Sequence, residues 1–282
     1  MGLNALFPLL PEVCRISVLA GEQILKVYDG ACPVEVENKS DGTPVTVADK
    51  QADALICSAL SQLTPDIPLV TEESVGEIEF KTRQAWSTFW LVDPLDGTKE
   101  FIERTGEFSV NIALIHDSKP ILGVVYVPVT RVLYCAYKDH GAFKTQVPAD
   151  LSKVVWQRCA GSEEYRIRVK SVQADSPKRV AVSRRHGGKV ENFMRALGEA
   201  ETVKMGSAIK SCLVAEGVAD VYPRFGPTSL WDTAAAQCVV EEAGGQILNQ
   251  SGRPLEYHQS ESLLNPYFMV VGDATYPWPD FP

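Results

Sequence analysis

Val13, Ile16, Ala20, Ile24 and Val27 recur at intervals of three and four, the spacing of one helix face, so residues about 11–28 read as an amphipathic helix. A second helix is predicted from Val47, with Ala52, Leu55, Ile56, Ala59, Leu60 and Leu63 on one side. Between them, Val34–Glu37 reads as a short strand followed by the turn-rich stretch Asn38 to Pro44. Short apolar runs at 68–70 and 89–92 read as strands. Phe108, Val110, Ile112 and Leu114 alternate with Ser109, Asn111 and Ala113, the pattern of a strand buried on one face. Residues 121–127 and 132–137 form a predicted hairpin around Pro128-Val129-Thr130-Arg131.

Residues about 146–177 are polar, mixed and without a period, and read as a connector or insertion. Beyond them strand and helix alternate. Strands are predicted at 179–183, 220–222, 246–248 and 268–271, and helices at 189–197, 207–216 and 233–243. The expected organisation is an α+β half over 1–147, a connector over 148–177, and an α/β half over 178–282.

Composition narrows the function classes. The formal net charge is −9, and no run of five or more Lys/Arg occurs, so polymeric nucleic acid is an unsuitable partner. A small anion stays open if cations or a local basic pocket offset the acidic field. Seven scattered cysteines without a C-x-x-C indicate reduced thiols rather than a disulfide framework or zinc ribbon. No signal peptide or transmembrane stretch is read, and the N-terminus lacks a myristoylation signal.

The chemistry concentrates in Trp90-Leu91-Val92-Asp93-Pro94-Leu95-Asp96-Gly97-Thr98-Lys99-Glu100-Phe101, where an apolar strand runs into a turn with two acids. Pro94 restricts the backbone between them, and Gly97 permits a conformation most residues resist. The amides of Gly97 and Thr98 would open the next helix, and such N–H groups lack intrahelical partners. Carboxylates for a hard cation beside N–H donors for phosphate suit phosphoryl chemistry. Haloacid-dehalogenase-type phosphatases also carry Asp-Gly-Thr after a strand, but with acids at i and i+2. Here the acids stand at i and i+3, which favours activated water over an aspartyl-phosphate.

Three further segments offer acids. Glu72 and Glu73 follow the apolar run at Leu69-Val70; they fit a solvated loop or, for Glu72, a cation ligand. Asp232 fits a helix N-cap and also a cation ligand. Thr46-Val47-Ala48-Asp49 matches a capping box.

Together, Leu91 to Phe101, Trp231-Asp232-Thr233-Ala234-Ala235 and Thr71-Glu72-Glu73-Ser74 resemble the signatures of the inositol monophosphatase superfamily. Gly106 to Leu114, Leu213 to Gly217 and Tyr222 to Pro227 resemble its bacterial bisphosphate nucleotidase branch, and the likeness covers nearly the whole chain. The longer stretch near 148–176 is the clearest departure, and it touches no motif. The resemblance implies a layered α/β/α/β/α sandwich of the inositol monophosphatase and fructose-1,6-bisphosphatase type, with the site between the halves.

It also implies two or three Mg²⁺ ions. Glu72, Asp93 and the Leu95 carbonyl would hold one; Asp93, Asp96 and Asp232 would hold another, with Glu73 nearby. Asp49 and Thr98 would activate water, and the Gly97 and Thr98 amides would bind phosphate, so Glu72, Leu95, Asp96, Gly97, Thr98 and Asp232 would all face the substrate. The implied reaction is hydrolysis of adenosine 3',5'-bisphosphate to AMP and phosphate, which clears a by-product of sulfate activation, with lithium sensitivity. Ser207, Lys210, Tyr222 and Arg224 would meet the nucleotide or serve as ordinary surface residues, and His186 would face the substrate or an exposed loop. Alternatives are an inositol or sugar phosphatase on the same fold, and a silent metal- or ligand-binding regulator. The expected setting is cytoplasmic, or peripheral at the inner membrane face, as a monomer or homodimer.

Overall fold

Helix α1 (Leu10–Tyr28) buries the face its periodicity predicts: Val13, Ile16, Ala20, Ile24 and Val27 are all inside. The computed structural model describes residues 3–30, 36–38, 44–173, 175–184, 187–258 and 260–282. Of the strand read at 34–37, residues 36 and 37 fall in β1 (Val36–Asn38), which pairs antiparallel with β2 (Pro44–Thr46); residues 34 and 35 and most of the turn after it lie outside the described residues. Helix α2 (Val47–Leu63) starts where Thr46 caps it. The cap is reciprocal: the Ala48 N–H donates to Thr46 Oγ1 at 3.2 Å, and the Thr46 N–H donates to Asp49 Oδ2 at 2.8 Å.

Next come β3 (Leu69–Thr71), the short helix α3 (Phe80–Arg83), β4 (Thr88–Asp96), the short helix α4 (Thr98–Ile102), β5 (Ser109–His116), β6 (Lys119–Val127) and β7 (Val132–Tyr137). The segment read as a connector or insertion holds more regular structure than its lack of a period suggests. Just before it, β8 (Gly141–Gln146) extends the hairpin, and within it lie α5 (Trp156–Cys159) and the two-residue strand β9 (Arg166–Ile167). These strands form one seven-stranded sheet in the order β3-β4-β5-β6-β7-β8-β9, antiparallel except for β3 beside β4.

The C-terminal part supplies β10 (Lys178–Val182), α6 (Gly188–Leu197), β11 (Ala200–Lys204), α7 (Ile209–Ala215), β12 (Val221–Arg224), α8 (Ala234–Glu242), β13 (Gln246–Asn249) and β14 (Phe268–Val271). They make a mixed five-stranded sheet in the order β11-β10-β12-β14-β13. Strand β11 has only exposed or half-buried residues, so no apolar pattern marks it.

Helices α1 and α2 cover one face of the large sheet, with Trp90, Val92, Val110, Ile112 and Leu114 packed beneath them. Helices α7 and α8 fill the space between the sheets, against Phe89, Leu91, Ala113, Ile115 and Val125 of the first and Tyr222, Phe268 and Val270 of the second. Helix α6 packs on the second sheet in a third apolar cluster. The layers therefore run α/β/α/β/α. Each central strand alternates between two cores, which corrects the one-sided burial expected for 108–114: residues 109–115 are all buried. The two-sided burial also explains Gly123. A Cβ there would stand 2.2 Å from the Ala235 carbonyl oxygen, so only glycine lets α8 lie this close to β6. Among the described residues no helix is long and apolar enough to cross a membrane.

Candidate active site

The first pair of acids is aimed by an irregularity in β4. Asp93 pairs with Asn111 and Asp96 with Ser109, and the register shifts between them where Pro94 and Leu95 lie. The Leu95 N–H donates to Asp93 Oδ1 at 3.0 Å and ties the turn down. Gly97 follows with φ +97°, the left-handed region that glycine adopts without a Cβ clash, and from it α4 begins.

Chain segments far apart in sequence meet at this turn. Asp93, Asp96 and Asp232 each bring a carboxylate oxygen within 4.8 Å of the others. Glu72 follows β3, the parallel neighbour of β4, and its N–H donates to the Val92 carbonyl at 3.1 Å. Its charge reaches Asp49, Asp93, Asp96 and Asp232. Asp49 enters from the first turn of α2: one oxygen holds the cap, and Oδ1 lies 3.2 Å from the Thr98 hydroxyl. The Thr98 hydroxyl also lies 3.4 Å from the Leu95 carbonyl, so its single hydrogen has two acceptors.

Asp232 does not cap α8, whose N-cap is Thr233. The chain makes a 3₁₀ turn at Leu230–Asp232 first, and the Ser229 N–H donates back to Asp232 Oδ2 at 2.9 Å. Asp232 thus ends its own turn and keeps its carboxylate in the cluster.

Acids crowded in this way hold on to protons. Burial, then Glu72 and the other aspartates, pushes the Asp93 carboxyl well above the usual carboxylate range. Asp232 is pushed up to about 8, by burial first and Asp96 next. Asp96 rises only to about 6, because Lys210, the Ala208 N–H and Asn111 offset its burial. Burial also raises Asp49, against the hydrogen bonds from Thr46. An all-oxygen donor set whose members repel one another fits a hard divalent cation, which would replace those protons as the neutralising charge.

Ser109 and Asn111, which no motif singled out, lie buried under the site. Asn111 Nδ2 donates to Asp96 Oδ2 at 3.3 Å and Ser109 to Ser207 Oγ at 3.2 Å. The available signal was two polar residues inside an otherwise apolar strand.

Beside the carboxylates opens a cavity of about 260 Å³, lined by Asp96, Gly97, Lys99, Glu100, Ser183, Arg184, Ser207, Lys210, Tyr222, Arg224 and Asp232 among others. Four of these are cations in a chain of net charge −9. Lys210 is buried, donates to the Ser207 carbonyl at 2.6 Å and lies 5.1 Å from the centre of the Tyr222 ring. Arg224 donates to Thr228 Oγ1 at 2.8 Å and to the Pro227 carbonyl at 2.9 Å. Arg184 reaches across to Glu107, with Nε 2.8 Å from a carboxylate oxygen. His186 lies outside the described residues.

A layered sandwich with a carboxylate cluster beside a helix start, opening onto a cavity with four cations among its lining residues, fits a phosphatase of the kind that uses divalent metal. The sequence profile described as the inositol monophosphatase family matches residues 9–271. The 3'(2'),5'-bisphosphate nucleotidase CysQ of Escherichia coli O157:H7 is 46% identical over 93% of this chain and 99% of its own length. The Haemophilus influenzae CysQ is 37% identical over 96% and 95%. The crystal structure of CysQ from Bacteroides thetaiotaomicron superposes with a TM-score of 0.75 at 40% identity, covering 91% of this chain and 94% of that one. An inositol monophosphatase from Anabaena shares the fold, with a TM-score of 0.70 at 20% identity over 96% and 92% of the two chains. The chain belongs to the inositol monophosphatase family.

Proposed function

We propose that this protein is a 3'(2'),5'-bisphosphate nucleotidase that removes the 3'-phosphate of adenosine 3',5'-bisphosphate. The observation that carries the reading is a carboxylate cluster opening onto a cavity with four cations, in a chain 46% identical to a nucleotidase over 93% of its length. A monophosphate needs neutralisation at one place; a bisphosphate needs it at two, and Lys99, Arg184, Lys210 and Arg224 offer the second.

Glu72, Asp93 and the Leu95 carbonyl would hold one Mg²⁺, and Asp93, Asp96 and Asp232 another. When bound, these ions neutralise phosphate charge and make water acidic enough to attack near neutral pH. The chain's own residues do the rest. Thr98 accepts a hydrogen from the attacking water and passes its own toward Asp49 Oδ1, 3.2 Å away. Asp49 can take it because burial raises its carboxyl. The N–H groups of Gly97 and Thr98, at the start of α4, bind the phosphate oxygens. Glu73 stands by without ligating. Ser207, Lys210 and Arg224 would meet the nucleotide and its 5'-phosphate. This activity clears a by-product of sulfate activation in the cytoplasm, and lithium inhibits it.

Phosphate release from adenosine 3',5'-bisphosphate and from inositol 1-phosphate, each with and without Mg²⁺, tests the reading. Fast, Mg²⁺-dependent turnover of the bisphosphate is expected. Preference for inositol 1-phosphate would make the protein an inositol phosphatase, and no release from either would leave a binding protein.

A further inference from the structure

Behind Asp232 lies a buried polar network that the chemistry above does not use. Asn265 Nδ2 donates to the Ser229 carbonyl at 2.6 Å and to Thr233 Oγ1 at 3.0 Å, bridging the turn that carries Asp232. Tyr257 is fully buried; its hydroxyl lies 3.0 Å from Thr233 Oγ1 and donates to Gln237 Oε1 at 2.7 Å. Gln237 in turn gives Nε2 to Glu241 Oε1 at 2.8 Å and to the Leu255 carbonyl at 3.1 Å. The backbone adds to the grip, since the Leu230 N–H donates to the Leu263 carbonyl and the Asn265 N–H to the Thr228 carbonyl. Leu255, Tyr257, Leu263 and Asn265 therefore hold 228–237 through a chain of hydrogen bonds inside an apolar core.

Apolar side chains of the same size would pack such a space without the desolvation cost of polar groups. What the polar chain adds is direction. Asn265 fixes the Ser229 peptide, the Ser229 N–H holds Asp232 Oδ2 at 2.9 Å, and Tyr257 fixes Thr233 on the other side. We infer that Tyr257, Thr233 and Asn265 are positioning residues that aim the Asp232 carboxylate at the cation it helps to hold. The inference rests on the reading of Asp232 as a cation ligand.

Mg²⁺ binding without substrate tests it, read as the thermal shift of the metal-free protein against Mg²⁺ concentration. Tyr257→Phe keeps the ring and removes the hydroxyl. Thr233→Val keeps the shape and removes the hydroxyl, while Thr233→Ser keeps the hydroxyl. Tyr257→Phe and Thr233→Val are each expected to weaken Mg²⁺ binding on the order of 10-fold, with Thr233→Ser restoring most of it. The KM for the bisphosphate at saturating Mg²⁺ moves less. Lower melting temperatures with unchanged Mg²⁺ affinity in both variants would make the network structural only and overturn the inference. Asp232→Asn, run in parallel, separates the two failures. If it binds Mg²⁺ like the unaltered protein, the reading of Asp232 falls and the inference with it. If it loses Mg²⁺ while Tyr257→Phe and Thr233→Val do not, the inference alone falls.

Discussion

At the scale of single residues, crowding the acids costs stability that a bound cation would restore. An ordinary aspartate ionises near pH 4 in an unfolded chain. Asp96 at about 6 and Asp232 at about 8 keep their protons longer when folded, and Asp93 is raised as well. The folded state thus binds more protons than the unfolded one between about pH 4 and about pH 8, so the metal-free protein loses stability as pH rises through that window. Melting temperatures in EDTA should fall across it, and Asp232→Asn should flatten the slope. A slope unchanged by Asp232→Asn would mean that this carboxyl is not raised. Asp93→Asn carries the trade-off further. It removes the most crowded charge, so the metal-free melt at the alkaline end should rise while Mg²⁺-dependent phosphate release drops by roughly 100-fold or more. Retained activity in that variant would exclude Asp93 from the metal site.

At the scale of elements, position comes from how closely layers approach. Helix α8 buries Ala234, Ala235 and Ala236, and Gly123 of β6 leaves room for the Ala235 carbonyl. A methyl at Gly123 would meet that oxygen at 2.2 Å, so α8 must move away from the sheet. Gly123→Ala is expected to lower stability by about 1–3 kcal/mol. Because Asp232 stands two residues before α8, the same shift should weaken Mg²⁺ binding. A denaturant melt and a Mg²⁺ titration on one preparation check both effects, and a loss of stability with normal Mg²⁺ binding would uncouple helix placement from the site.

At the scale of the molecule, the site is a meeting of two sheets. Arg184 follows β10 of the second sheet and pairs with Glu107, which precedes β5 of the first. Arg184 is about half exposed, and solvent screens ion pairs of this kind, so the pair is weak as a brace. It also lines the cavity, where a guanidinium released from Glu107 would be free to meet a phosphate instead. Arg184→Ala should raise the KM for the bisphosphate by roughly 10-fold, as expected for loss of a charged hydrogen bond, and shift the melting temperature by only a few degrees. An unchanged KM would assign the side chain to the Glu107 contact alone.

Local order was readable in the chain itself. Helices α1 and α2, the hairpin of β6 and β7, and the alternating elements after residue 178 follow from periodicity and turn residues, because their hydrophobic faces are set by neighbours in sequence. The turn of the Asp93–Thr98 string was legible for the same reason: acids, proline and glycine act within one turn. Tertiary structure alone decided what those residues face. The alternation in β5 looked one-sided, yet both faces are covered, and its polar members Ser109 and Asn111 proved to lie under the site. Edge strands β9 and β11 carry no apolar signature, since pairing and not burial makes them strands. Nothing near Asp232 in sequence states that it meets Asp93, or that Tyr257 and Asn265 stand behind it. Those contacts join residues more than twenty positions apart, and only the packing of α8 between two sheets brings them together.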